Sequence, residues 1–202
     1  MTQPTKPDST RETILATGRK LVTVQGFGGM GLSTLLKASG VPKGSFYHYF
    51  PSKEAFGQAL LQDYVDDYLA RVDAILARDL NGADKLLTFC DAWLDHEREA
   101  GLVNTCLVVK LGAEVADLSD TMRAVLDAGA RALVTRLAAM LREGVADGSL
   151  RLQDLTDQTA HHAAQVLYAQ FLGAAILSKL AHDPHPLEAV VQDIKTRLVT
   201  GA

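Results

Sequence analysis

The stretch from Gly40 to Phe50, GVPKGSFYHYF, predicts two short helices joined by a tight turn. Pro42 suits the start of a helix, because its missing N–H has no partner to lose there and its φ is already helical. Gly40 follows a periodic run of leucines, which indicates a left-handed residue that ends the preceding helix. Together these signals predict a helix-turn-helix.

The second helix of this pair has two chemically different faces. Phe46, Tyr49 and Phe50 lie at i, i+3 and i+4, which places their rings on one face, predicted to be buried. The other face carries hydrogen-bond donors and a cation with no acidic residue, and its members are Lys43, Gly44, Ser45, Tyr47 and His48. Such a face suits a polyanion, and in a helix-turn-helix the second helix enters the major groove of DNA. Packing alone, as in an αα-hairpin, would not need these residues together.

The run from Leu35 to Phe50, followed by Ser52-Lys53-Glu54, resembles the DNA-binding domain of the TetR family of bacterial one-component repressors. The resemblance implies a homodimer on a near-palindromic double-stranded DNA operator. The family usually has Thr or Ser capping its second helix, at about Met30 or Gly31 here, so this sequence departs from the pattern. Ser33 or Thr34 is therefore expected to make that phosphate contact. Lys53, at the start of a long helix, is expected to meet another phosphate.

The distribution of charge agrees with a DNA-binding head on a separate body. The net charge is −4, but residues 1–53 carry a net +5 and residues 54–202 a net −9. A basic segment on an acidic body is the electrostatic pattern expected of a DNA-binding regulator. No secretory signal or long uninterrupted apolar run is evident, so we expect a cytoplasmic protein with no membrane association. Its two cysteines are expected to be thiols.

The spacing of apolar residues predicts an all-α fold of about nine helices. We expect a disordered lead-in over residues 1–8, a three-helix DNA-binding domain over 9–53 and an effector-binding and dimerisation domain over 54–202. A capping box at Ser9–Glu12 predicts the start of the first helix. A long helix is predicted from Ser52 to about Arg78, and further helices over about 81–100, 105–115, 119–147 and 154–181, with a last one after Pro186.

The helix predicted over 154–181 is apolar on most of its circumference, which indicates burial on most sides. A chain of this size rarely surrounds such a helix by itself. We therefore predict that it forms, with the last helix and their two-fold copies, a four-helix dimer interface. The resemblance implies the same arrangement.

Residues Gly26–Gly31 match the pattern G-x-G-x-x-G of dinucleotide-binding folds. That pattern needs a preceding strand and a βαβ unit, whereas a helix precedes it here, so we predict a turn between two helices. We find no nucleophile elbow, phosphate loop or metal-ligand spacing. His161 and His162 are adjacent and diverge by about 100° on a helix, so they cannot share a metal. We therefore expect no enzyme, cofactor or metal.

The sequence favours an effector pocket over a catalytic site, because pockets in helical bundles are mostly apolar with a few polar groups. Its candidate residues are Tyr64, Tyr68, Trp93, Tyr168 and Phe171, with Glu97, Glu114 or Lys179. The alternative is that these aromatic residues are simply core.

Cys106 is a candidate sensor. It lies near the start of a short predicted helix, whose dipole favours the thiolate, and Lys110 adds a cation at i+4. Three stretches, Asn104–Glu114, Gly173–Ala175 and Gly44–Phe50, resemble a TetR subgroup. Its members control detoxifying reductases and respond to electrophiles such as unsaturated carbonyl compounds. The alternative is a buried inert thiol, which we expect for Cys90.

These observations predict a transcriptional repressor that a small molecule or a reactive electrophile releases from its operator. The alternative is a thiol-based or ligand-binding stress protein without operator-specific DNA binding.

Overall fold

The computed structural model describes residues 6–94, 106–152 and 155–199, and the side chains of residues 6–8 are outside this description. Within these ranges the chain forms nine helices and one isolated antiparallel bridge between Leu150 and Val199. The prediction of an all-α fold is confirmed. The helices are α1 (Lys6–Gly29), α2 (Leu32–Ser39), α3 (Lys43–Tyr49), α4 (Lys53–Leu76), α5 (Gly82–Leu94), α6 (Leu107–Leu118), α7 (Asp120–Ala146), α8 (Asp157–Ala181) and α9 (His185–Leu198).

The first helix differs from its prediction at both ends. It begins at Lys6, so the predicted start at Ser9 is wrong and Ser9 lies inside the helix, where its carbonyl accepts from the Thr13 hydroxyl. Residues 1–5 of the expected lead-in lie outside the described residues. The helix also runs on to Gly29, into the predicted turn, although Gly26 interrupts it with φ 76° and ψ 171°.

The chain divides into two compact units. The first contains Met1–Asp67 and Lys110–Ala128, and the second contains Tyr68–Val109 and Gly129–Ala202. Helices α4 and α6 therefore contribute residues to both units. The domain boundary expected after residue 53 is a functional division and stays a prediction.

The core of the first unit is centred on three phenylalanine rings. Phe46, Phe50 and Phe56 are almost completely buried, and their ring centroids lie 5.3 to 5.7 Å apart. Gly18 on α1 makes this packing possible, since a Cβ there would lie 2.3 Å from the Phe56 ring. The cluster joins the recognition helix α3 to α1 and α4, so it sets the position of α3 in the unit.

The core of the second unit is formed by α5, α7, α8 and α9. Helix α9 packs against α8 and α5. Leu86, Cys90 and Trp93 are buried on α5, as their spacing predicts. Residues 95–100 of the predicted fifth helix lie outside the described residues. The predicted start of α8 at Asp154 also lies outside them, and the described helix begins at Asp157 after the Thr156 cap, whose side chain accepts from the Thr159 amide.

In the single chain, helix α8 is buried on one side and exposed on the other, so the prediction that a second subunit covers the remaining side stays a prediction. Val166, Ile176, Leu177 and Leu180 are exposed. Within the described residues this is the one helix long and apolar enough to cross a membrane by length and composition. That is weak evidence for a membrane span, because core and interface helices of soluble proteins meet the same criterion.

Candidate DNA-binding surface and effector site

The recognition helix α3 is positioned by the turn that precedes it. Gly40 has φ 68°, the left-handed value predicted from its place after α2. Pro42 is the N-cap of α3, one residue before the predicted helical start, with φ −61° and ψ 147°. Phe46 and Phe50 are buried and Tyr49 is half-buried, so the apolar face predicted from their spacing is confirmed.

The polar face of α3 is open to solvent. Lys43, Gly44, Tyr47 and His48 are exposed, Ser45 is half-buried, and a Cβ added at Gly44 would meet no atom within 4 Å. The Lys43 ammonium lies 6.0 Å from the centre of the Tyr47 ring, so the cation and the phenol occupy the same patch. This patch presents a positive charge, hydroxyls and an imidazole on one exposed helical surface.

The predicted phosphate contacts on α2 and α4 differ in their surroundings. Ser33 and Thr34 are exposed in the first turn of α2, whose N-cap Gly31 provides no side-chain hydrogen bond. Lys53 instead donates from Nζ to the Phe27 carbonyl at 3.0 Å, and its ammonium lies 4.9 Å from the Phe27 ring centre. Lys53 therefore has a role inside the first unit, and its contact with phosphate stays a prediction.

Glu114, a candidate for the effector pocket, contacts the backbone of the first unit. Its carboxylate accepts hydrogen bonds from the backbone amides of Phe27, at 3.1 Å, and Gly28, at 2.6 Å. Tyr64 also lies in the first unit, beneath the Arg19 guanidinium, rather than with the other aromatic candidates. No sequence signal for the Glu114 contact is evident, since it joins residues far apart in the chain.

The remaining aromatic candidates form one cluster in the second unit. Tyr68, Trp93, Tyr168 and Phe171 are buried there, and Cys106 is 1% exposed immediately before α6. The Trp93 and Phe171 ring centroids lie 5.1 Å apart. Phe89, which the sequence reasoning missed, packs edge-on against Phe171 at 5.6 Å. Its spacing four residues before Trp93 is the signal that would have identified it.

Electrostatic interactions connect the polar atoms of this cluster. Burial is the largest cause that raises the pKa of Tyr68 well above its usual value, and the Cys106 charge raises it further. The pKa of Tyr168 is raised by the same two causes. Both phenols are therefore neutral O–H groups near the thiol at physiological pH. The Trp93 indole N–H lowers the Tyr68 pKa, yet Nε1 is buried and has no acceptor at hydrogen-bond distance among the described residues.

The two lysines predicted for the sensor are less buried than the residues of this cluster. Lys110 is half-buried on α6 and belongs to the first unit, and Lys179 is exposed on α8. Cys90 is buried, and burial together with the neighbouring Asp91 charge raises the pKa of its thiol to about 12. Cys90 thus matches the prediction of an unreactive thiol. Glu97 lies outside the described residues.

No group of three or more histidine, cysteine, aspartate or glutamate side chains that could hold a metal ion occurs in the part of the chain that the structure describes. His161 is half-buried and His162 is exposed on α8.

Helix α3 is held on one side by an aromatic core and presents a cation and hydrogen-bond donors on the other. With the turn before it and a second helical unit in the chain, this arrangement defines the class of helix-turn-helix DNA-binding proteins. Residues 14–60 match the family model described as bacterial regulatory proteins, tetR family. Residues 82–194 match the tetracyclin repressor-like C-terminal domain. The chain belongs to the TetR family of bacterial transcriptional regulators.

Individual relatives extend the similarity to almost the whole chain. The chain is 42% identical over 194 residues to the HTH-type transcriptional repressor NemR of Escherichia coli K12, covering 96% of each protein. It is 32% identical to the transcriptional regulator AcuR of Cereibacter sphaeroides, covering 96% of this chain and 88% of AcuR. The crystal structure of reduced E. coli NemR superposes with a TM-score of 0.88, covering 96% and 99% of the two chains. These relatives are regulators, and they do not favour the alternative of a stress protein without operator binding.

Proposed function

We propose that this protein is a cytoplasmic repressor that binds a near-palindromic operator as a homodimer and leaves it when an electrophile modifies Cys106. The observation that carries the repressor assignment is the 42% identity to a transcriptional repressor over 96% of both chains. The exposed face of α3 supports the DNA contact, since its donors match the acceptors of guanine and phosphate. We assign Lys43, Gly44, Ser45, Tyr47 and His48 to the major groove, and Ser33, Thr34 and Lys53 to phosphates.

The dimer is proposed to form through α8 and α9. Helix α8 leaves Leu177 57% exposed and Leu180 75% exposed, with Val166 and Ile176 on the same side. Gly173 is exposed among them, and a Cβ added there would meet no atom within 4 Å. The open space at this glycine lets a partner helix approach closely. Exposed apolar patches of this kind mark interaction sites.

The effector is proposed to be a conjugated carbonyl compound. In the reaction, the Cys106 thiol loses its proton and its sulfur forms a bond to the β-carbon of the electrophile. The carbon–carbon π pair moves toward the carbonyl oxygen, and the α-carbon then takes up a proton, so no oxidant is needed. The unsatisfied Trp93 N–H and the neutral phenols of Tyr68 and Tyr168 supply donors for that oxygen.

Burial of Cys106 explains how an adduct would change the conformation. The thiol is 1% exposed, so reaction requires a movement that uncovers it. A close-packed interior has no room for several added heavy atoms, so the adduct favours the more open form. The equilibrium between operator-binding and released forms then shifts by the difference in stability of the adduct in the two forms.

The test is fluorescence anisotropy on DNA from upstream of the gene, with and without acrolein. We expect the wild type and Cys90→Ser to bind and to be released by acrolein, and Cys106→Ser to stay bound. Cys90→Ser is the matched control because it removes the other thiol. Equal release of the Cys106→Ser protein would overturn the sensor assignment, whereas operator binding that acrolein never affects would leave the repressor and require a reversible ligand.

A further inference from the structure

The glycines at positions 26 and 28 form a backbone receptor for a carboxylate of the same chain. Gly26 has φ 76° and ψ 171°, which interrupts the helical hydrogen-bond ladder before Phe27. The amides of Phe27 and Gly28 point instead at the two oxygens of Glu114, at 3.1 and 2.6 Å. A Cβ at Gly26 or Gly28 would lie 2.9 Å from these oxygens. The glycine-rich segment thus binds an acidic group through its backbone amides, as glycine-rich loops do in nucleotide-binding folds. Here that group is the side chain of Glu114.

The segment that Glu114 holds also positions the start of α4. Phe27 is buried, and its carbonyl accepts from the Lys53 ammonium at 3.0 Å. Its ring packs so closely on α4 that a Cβ at Gly57 would lie 2.5 Å away. Lys53 begins α4 only a few residues after the recognition helix ends at Tyr49. The segment that Glu114 holds is therefore in contact with the start of α4, which lies next to α3 in the chain.

A second carboxylate of the first unit contacts the residues that follow α6. The Glu54 carboxylate, in the first turn of α4, accepts from the Ser119 hydroxyl at 2.5 Å and from the Thr121 hydroxyl at 3.1 Å. Ser119 lies between α6 and α7. The second half of α6 and the residues that follow it are thus held within the first unit at two places, and at each place a carboxylate accepts two hydrogen bonds.

We propose that Glu114 is the positioning residue through which a change at Cys106 reaches the recognition helix. Cys106 directly precedes α6 and Glu114 lies eight residues later on that helix, about 12 Å along its axis. Because α6 is one continuous helix, a shift at its first turn moves the Glu114 carboxylate relative to the amides of Phe27 and Gly28. This inference rests on the proposed function, since it needs both an operator and a reactive Cys106.

The experiment measures coupling rather than stability. Operator affinity is determined for the unmodified and the N-ethylmaleimide-treated protein, and the rate of Cys106 alkylation is followed by mass spectrometry with and without operator DNA. In the wild type we expect treatment to weaken operator binding by a large factor and bound operator to slow the alkylation of Cys106, because the operator and the adduct favour different forms of the protein. In Glu114→Ala we expect that factor to fall at least about tenfold, toward one, while free protein is alkylated at the wild-type rate.

Two further variants make the result decisive. Glu114→Gln removes the charge and one acceptor while keeping the shape, so it is expected to reduce coupling even if the alanine variant fails to fold. Asp117→Asn removes an exposed carboxylate from the same helix and is expected to keep wild-type coupling. Wild-type coupling in both Glu114 variants would overturn the inference. A wild-type protein whose Cys106 reacts without any loss of operator affinity would instead overturn the proposed function.

Discussion

At the scale of single residues, Gly82 shows how a position can be required for close packing without any chemical role. A Cβ added there would lie 2.0 Å from the backbone nitrogen of Gly144 and 2.4 Å from its Cα. The Asp147 carboxylate accepts from the Gly82 amide at 2.8 Å, which fixes the start of α5 against the end of α7. The sequence Asn81-Gly82 predicts a break between helices, but it contains no signal for this contact with a residue distant in the chain.

We expect Gly82→Ala to destabilise the protein by about 1–3 kcal/mol, because the added methyl meets backbone atoms that cannot rotate away. This corresponds to a thermal midpoint lower by about 2 to 12 °C at equal protein concentration, measured by circular dichroism. Gly44→Ala is the matched control, since its Cβ enters open space. An unchanged midpoint in Gly82→Ala would show that the two helices separate at little cost.

At the scale of elements, the recognition segment was predictable because its signals are local. Gly40, Pro42 and the spacing of Phe46 and Phe50 lie within one short stretch, and the structure places each within one residue of its predicted role. The start of α1 was mispredicted because the hydroxyl–carboxylate spacing at Ser9 also occurs inside helices. The Glu114 contact was not predictable, since no periodicity relates a residue on α6 to amides on α1.

The exposed face of α3 leads to a prediction about DNA affinity. Lys43→Ala and Tyr47→Ala are expected to abolish specific operator binding while leaving the dimer folded, because both side chains are exposed and outside the aromatic core. Lys43→Ala should also make the slope of log affinity against log salt concentration less steep, by up to about one, because the ammonium adds positive charge close to the phosphates that border the groove. Anisotropy titrations over a range of salt concentrations measure both quantities.

Arg142→Ala is the matched control for this experiment, since it removes one exposed positive charge from α7 in the second unit. It should leave affinity and salt slope close to wild type. Operator affinity retained in both α3 variants would contradict the assignment of this face to DNA.

At the scale of the whole molecule, the distribution of charge and of exposed apolar surface separates two tasks. The net +5 of residues 1–53 favours a polyanion, whereas the net −9 of residues 54–202 disfavours nonspecific wrapping of DNA by the body. Composition alone predicted this division. It did not predict which side of α8 is exposed, because the helix is apolar around most of its circumference and only packing against α9 distinguishes its sides.

The exposed side of α8 leads to the last prediction. Leu177→Glu with Leu180→Glu places two carboxylates in an apolar interface that would have to bury them unpaired, which is costly. We expect the double variant to sediment as a folded monomer at micromolar concentration. Leu118→Glu, at another exposed leucine in the first unit, should remain dimeric.

Because two linked heads bind the half-sites of one operator at high effective concentration, the monomer should also lose about 10²–10⁴-fold in operator affinity. A double variant that still sediments as a dimer would move the interface away from this side of α8, and a monomer with undiminished affinity would mean that one head suffices for recognition.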